Sequence, residues 1–370
     1  MPAENDTSLK INKASEYDTN LYTTIIGAIN PVSKDLVVSA QHKIDNKTKP
    51  LGSLGTLEKL GVQAALIQNN LNPDIKRKLM LTFGADHGVT AEGISAYPSE
   101  VTYQMVVNFF HGGAAINVFC RAYDIDFRVV DMGVKGEFED QPMLIKRKIG
   151  EGTRNFALQP AMTLLEAQQA IETGMEVFLC ENSKNRVDIL GLGEIGIGNT
   201  TSATAIICAV AGVSPGEATG RGTGLDDKGL KHKADVIQRA LDFHQLNSKD
   251  GLEILSLVGG FEIGGIAGAI LAAASKKTIV VLDGVISTSA GLIAYLINPD
   301  IKDYLVSGHK SVEVAQKSAL EYMQLDPVLD LDMRLGEGTG AAITINIVET
   351  ACKIMREMAS FDEAGVSKEK

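Results

Sequence analysis

The chain lacks the charge of a nucleic-acid binder. Its 370 residues carry 35 Lys and Arg against 46 Asp and Glu, a formal net charge of -11, whereas phosphate backbones are bound by basic faces. An anionic small molecule is not excluded, because a few cations and backbone N–H groups hold a phosphate locally. Cysteine is scarce. Cys120, Cys180, Cys208 and Cys352 form no CxxC pair, which argues for free thiols in a reducing cytoplasm rather than a metal knuckle or redox dithiol. No apolar run is long enough to span a bilayer; the longest, around Ile263 to Ala274, is interrupted by glycines. Met1 to Asn20 is polar and of mixed charge, unlike a signal peptide. These readings place the protein in the cytoplasm, with neither membrane nor nucleic acid as a partner. There is no Gly-Lys-Ser/Thr P-loop and no GxSxG elbow, which argues against classical nucleoside-triphosphate binding and Ser-His hydrolysis. Asp86-His87-Gly88 is one Asp-His pair without a second histidine cluster, so no metal is expected.

Glycine, by contrast, is plentiful at 37 and tryptophan is absent. With no short period, the glycines indicate tight strand-to-helix turns rather than collagen or disorder. Short aliphatic runs end in Gly, Asp, Glu or His: residues 79–83, 127–130, 187–190, 278–282 and 304–307. Such unbroken runs predict strands buried on both faces. Between them, Ala-rich stretches at 160–182, 201–211, 228–245, 264–275 and 288–297 predict helices. The alternation predicts an α/β fold with a mainly parallel sheet, whose ligands bind outside the carboxyl ends of the strands. Residues 21–70 and about 345–370 carry helical patterns without strand runs, which suggests a small helical domain built from both ends of the chain.

Three glycine-rich segments are candidates for chemistry. Gly191-Leu192-Gly193-Glu194-Ile195-Gly196 fits GxGxxG, a weak dinucleotide signal, but Glu194 is an awkward neighbour for a pyrophosphate. The wider stretch to Ser202 sets Gly196, Gly198, Asn199 and Thr200 at a helix start, either as a phosphate site or as a capped helix without ligand. Gly220 to Asp227 holds Gly222, Thr223 and Gly224 just before a helix carrying Lys228, Lys231 and Lys233, and resembles an anion cradle with a cation nearby. In Arg334-Leu335-Gly336-Glu337-Gly338-Thr339-Gly340, one carboxylate stands among three glycines. It is either a tuned general base or a solvated turn residue.

Seven blocks in this order resemble the nicotinate-nucleotide–dimethylbenzimidazole phosphoribosyltransferase family. They are Lys49–Glu58, Ala85–Val89, Ser95–Thr102, Gly193–Thr201, Val258–Glu262, Leu282–Gly284 and Arg334–Ala341, and the likeness runs from about residue 22 to 365. The resemblance implies a homodimer. Each chain would have a Rossmann-like large domain (71–344), a small helical domain (21–70 with 345–370) and an N-terminal extension (1–20). It implies transfer of the phosphoribosyl group of nicotinate mononucleotide to 5,6-dimethylbenzimidazole with inversion, in cobalamin lower-ligand synthesis, without a cofactor. Carried over residue by residue, Glu337 is the base and Glu194 the second carboxylate, while Lys233 and Ser311 lie on the phosphate side. Tyr97 and Met105, with Ile195, Ile197 and Leu335, form the benzimidazole pocket. Some relatives carry Ser and Gln in place of Tyr97 and Met105. The leaving group is a pyridinium, so no metal is needed to help it depart.

Overall fold

The computed structural model describes residues 19–222, 224–246 and 249–367. Of the extension read at 1–20, only Thr19 and Asn20 are included, where they open the first helix. Seven strands form one sheet: β1 (Lys78–Ala85), β2 (Asp126–Gly133), β3 (Leu144–Lys146), β4 (Ile189–Ile195), β5 (Ile279–Leu282), β6 (Leu305–His309) and β7 (Pro327–Leu329). Their order is β3-β2-β1-β4-β5-β6-β7, and every adjacent pair is parallel. The architecture is the α/β type the aliphatic runs predicted. β4 and β5 are buried along nearly their whole length, as parallel strands covered by helices on both faces must be. Two strands escape the sequence pattern: β3 and β7 are three-residue edge strands, too short to produce one.

The direction of winding reverses between β1 and β4. From β1 the sheet grows outward to β2 and β3; from β4 it grows the other way to β7. At such a switch point the crossover loops diverge and leave a crevice at the carboxyl ends of the strands. Asp86 and His87 follow β1, Glu194 lies at the end of β4, Asp283 follows β5 and His309 ends β6. These polar residues therefore converge on one edge of the sheet.

The GxGxxG segment is not a phosphate loop. Gly191 and Gly193 lie inside β4. A side chain on Gly191 would collide with Met80, one on Gly193 with the carbonyl of Glu337, and one on Gly196 with the carbonyl of Ala85. These glycines make room for the chain itself and not for a dinucleotide.

Helix Thr339–Glu357 runs from the sheet edge back to the N-terminal region. There Met355 joins Ala40, Ile44 and Ala65 in an apolar cluster separate from the main core, and Lys47 bridges to Ser360. All four cysteines are free. No helix among the described residues is long and apolar enough to cross a membrane.

Candidate active site

The cleft at the switch point is lined by Glu194, Ile195, Gly196, Ile197, Asn199 and Thr200 from the end of β4 and the helix after it. Gly222, Ser311, Leu335 and Gly336 complete its wall, with His309 and Glu313 among the other lining groups. Many of the residues singled out from sequence therefore meet in one place, although some come from segments more than a hundred residues apart; Glu337 and Lys233 are buried and do not line it. Gly198 caps the helix Asn199–Ala211 in a left-handed conformation and packs on His87. Lys233 is buried beneath Thr200 and donates to its Oγ1 at 2.8 Å. Tyr97 is half exposed, Met105 packs partly buried against the core, and neither lines this cleft. Gly224 has a positive φ and open space around its α-carbon, and Thr223 lies outside the described residues.

The three glycines around Glu337 each admit a different group. A Cβ on Gly336 would strike the carboxylate of Glu194, one on Gly338 would press on Met80 and Gly193, and one on Gly340 would strike His309. Gly336, Glu337 and Gly338 all have positive φ, of 90°, 64° and 99°. Glycine takes this conformation freely, whereas a glutamate there costs roughly 1–2 kcal/mol. The turn is held on both sides. Thr82 Oγ1 donates to the carbonyl of Glu337 at 2.8 Å, and the backbone N–H of Ile116 donates to Glu337 Oε2 at 3.1 Å. Ile116 lies in the first turn of helix Ala115–Tyr123, so the carboxylate faces the positive end of a helix dipole.

Burial dominates the electrostatics. It pushes the carboxyl of Glu194 up to about 8, and the nearby negative charge of Asp283 adds to the effect, while a hydrogen bond from Asn199 opposes it. Glu194 is therefore mostly protonated at neutral pH. Burial also raises the proton affinity of Glu337, against the pull of the Ile116 amide and with a further push from Asp283. Burial lowers Lys233 to about 8, while the charge of Glu313 works to raise it. Two carboxyls thus bind protons more tightly than free glutamates, and a buried amine binds its proton less tightly.

The Glu194 shift carries a stability consequence. Its folded value lies above the ordinary 4.5, so between those values the folded state holds a proton that the unfolded chain has released. Stability from this group is intact at low pH and is lost as pH rises toward 8. Glu194→Gln should raise Tm relative to the parent at pH 9 and leave it nearly unchanged at pH 4. Thermal unfolding at the two pH values tests this, and an equal shift at both would contradict it.

Several groups in the site were not assigned roles from sequence. Glu313 is buried, its Oε1 accepts from the N–H of Gly222 at 2.8 Å, and its carboxylate abuts Gly220. A carboxylate thus occupies the amide of the loop read as an anion cradle. Its own N–H donates to Ser311 Oγ at 3.2 Å. His87 and Glu262 form a fully buried pair, Nε2 to Oε1, at 2.7 Å, so the histidine of the Asp-His motif is a support under the loop at Gly198, while Asp86 Oδ2 accepts from the N–H of Lys135 at 2.8 Å. For Asp283 the available sequence signal was a strand ending in Asp-Gly; for Glu313 there was none, because Gly222 lies 91 residues away, and Glu262 closes one of the seven blocks but nothing local pairs it with His87, 175 residues away.

A family model described as Phosphoribosyltransferase (DBI_PRT) matches residues 29–366. The nicotinate-nucleotide–dimethylbenzimidazole phosphoribosyltransferase of Geobacter sp. (strain M21) is 47% identical over 348 residues, covering 94% of this chain and 99% of that one. The protein of the same name from Chloroflexus aggregans is 46% identical over 353 residues, covering 95% and 99%. Among solved structures, that of CobT from Thermus thermophilus superposes with a TM-score of 0.87 at 42% identity, covering 90% of this chain and all of that one. With this identity spanning nearly the whole length of both chains, the protein belongs to the nicotinate-nucleotide–dimethylbenzimidazole phosphoribosyltransferase family.

Proposed function

We propose that the protein transfers the phosphoribosyl group of nicotinate mononucleotide to 5,6-dimethylbenzimidazole, giving α-ribazole 5′-phosphate and nicotinate for the lower ligand of cobalamin. The observation that supports the site assignment is that the Glu194 carboxylate lies against Gly336, the residue before Glu337, at the switch point, and that both glutamates have raised proton affinity. One nitrogen of the benzimidazole attacks C1′ from the face opposite the pyridinium, and the C1′–N bond to nicotinate breaks with its electron pair leaving on the nicotinate ring. The configuration inverts from β to α. The other ring nitrogen of the base gives its proton to Glu337, at Oε1, since Ile116 holds Oε2. Glu194, neutral at working pH, donates a hydrogen bond to the mononucleotide. Lys233 and Ser311 receive the phosphate beside the loop at Gly222 and Gly224, which joins them only when the Glu313 carboxylate gives up the Gly222 amide. Holding the two substrates in line supplies much of the acceleration.

Ile195, Ile197 and Leu335 form the apolar wall for the base, whereas Tyr97 and Met105, on the segment after β1, stand outside that wall and would reach the base only if that segment moved toward the cleft. We also infer that residues 21–70 with 345–370 form a small helical domain beside the large one (71–344), on the strength of the apolar cluster joining Met355 to Ala40 and Ala65. The protein works in the cytoplasm as a homodimer. The test of function is direct: incubation with both substrates and chromatography for nicotinate and α-ribazole phosphate. Absence of nicotinate release would overturn the assignment.

An apolar wall predicts tolerance toward the base. Each methyl contributes about 0.8 kcal/mol if fully buried, short of the roughly 1.4 kcal/mol that a tenfold preference needs. In direct competition, dimethylbenzimidazole should therefore outcompete benzimidazole by roughly ten- to twentyfold. A thousandfold preference, or none, would contradict an apolar pocket that buries both methyls.

A further inference from the structure

We infer that Asp283 is a positioning residue for the proposed base: it pins the turn that carries Glu337 and is the fixed negative charge against which that carboxylate works. The inference rests on reading Glu337 as the base, and it adds a residue to which the family resemblance assigned no role.

Asp283 follows β5 and is buried. Its Oδ1 accepts from the N–H groups of Gly340 at 2.7 Å and Ala341 at 3.0 Å, and its Oδ2 accepts from that of Gly338 at 3.2 Å. These amides belong to the first turn of helix Thr339–Glu357 and its cap, donors that a helix cannot satisfy from within. An ordinary cap residue, acting from its own chain position, satisfies one or two of them. Asp283 reaches them from a different strand, 55 residues or more away, and so ties β5 to the turn at Gly336–Gly338. With Thr82 holding the carbonyl of Glu337, the left-handed glutamate is clamped from two strands.

Pinning alone does not require a charge, yet the charge here is left largely uncompensated. Among the described residues the single basic side chain near Asp283 is His309, at 3.8 Å from Nε2 to Oδ1, beyond hydrogen-bond reach. Burial raises the proton affinity of Asp283, against the pull of His309 and of the three amides, which favour the anion. The anion is the form that accepts all three amides at once, since a proton on Oδ2 would point at the N–H of Gly338. The groups facing this charge are Glu337 on the turn, Glu194 at the end of β4 and His309 at the end of β6, with Glu262 also acting on Glu194. Both glutamates feel Asp283 as a like charge that strengthens their hold on a proton. A base that holds its proton more tightly takes one more readily from the benzimidazole.

Asp283→Asn tests the charge and largely keeps the shape, because its amide oxygen still accepts from Gly340 and Ala341. The expected result is a fall in kcat of roughly 10- to 100-fold and a KM for nicotinate mononucleotide within about threefold of the parent. The acidic limb of the rate profile should move to lower pH by about half a unit or more. An equal loss of kcat with the limb unmoved would overturn the proposal and leave Asp283 as a helix cap. A second measurement covers the case in which that variant does not fold. Carboxyl-13C glutamate labelling, with Glu337→Gln used to assign the signal, reads the titration of Glu337. A midpoint in the ordinary glutamate range would overturn the proposal, as would a raised one that Asp283→Ser, which removes the charge and keeps an acceptor, leaves unmoved; a raised midpoint that falls in that variant supports it. If Glu337→Gln instead retains full turnover, the base reading fails while the titration still reports on Asp283, so the two failures are distinguishable.

Discussion

Glu337→Gln is expected to lower turnover by roughly two to four orders of magnitude, the scale of a lost general base. The substitution keeps the side-chain shape and an oxygen for the amide of Ile116, so the fold and the affinity for nicotinate mononucleotide should change little. Burial raises the proton affinity of Glu337, and the carboxylate must be ionised to accept a proton. Activity of the parent should therefore climb with pH along a limb lying above the ordinary glutamate value of about 4.3. The residual activity of the variant should lose that limb. Steady-state kinetics from pH 4 to 9 on both proteins provide the measurement. Near-parental turnover at neutral pH would remove Glu337 from the chemistry.

Lys233→Ala should damage the other substrate. A hydrogen bond to a charged group contributes roughly 1.5–3 kcal/mol, so KM for nicotinate mononucleotide should rise by roughly ten- to a hundredfold. Binding of dimethylbenzimidazole should stay within about threefold, since that ring carries no anion for the amine to meet. Because burial has lowered Lys233 to about 8, the parent should also bind the mononucleotide less well as pH rises through 8 and the amine loses its charge. The alanine variant should not show this weakening. Lys233→Met serves as a control that fills the buried space without the charge. Normal KM values in both variants would place the phosphate elsewhere.

Much of the fold was legible in the sequence because a central parallel strand is buried on both faces and reads as a short unbroken aliphatic run. Residues 79–83, 278–282 and 304–307 announced β1, β5 and β6, and the polar residue closing each run marked the edge where ligands bind. The edge strands β3 and β7, three residues each, carried too few side chains to register. The setting of Glu337 was legible as well, since a glutamate between glycines signals a turn that side chains rarely enter. The sequence by itself thus determined the α/β class, the carboxyl-edge cleft and, through seven ordered blocks, the family.

Tertiary structure alone decided what each glycine makes room for and how the charges are tuned. Gly336 admits Glu194, Gly340 admits His309, and the glycines of β4 admit neighbouring chain instead of a cofactor. Asp283 reaching the amides at 338, 340 and 341, and Glu313 reaching Gly222, are contacts between segments tens of residues apart. Proton affinity depends on burial and on charges a few ångströms away, and neither quantity is local to the sequence. The residue types able to do the chemistry are written along the chain, but their protonation states at neutral pH arise only where the strands bring those residues together.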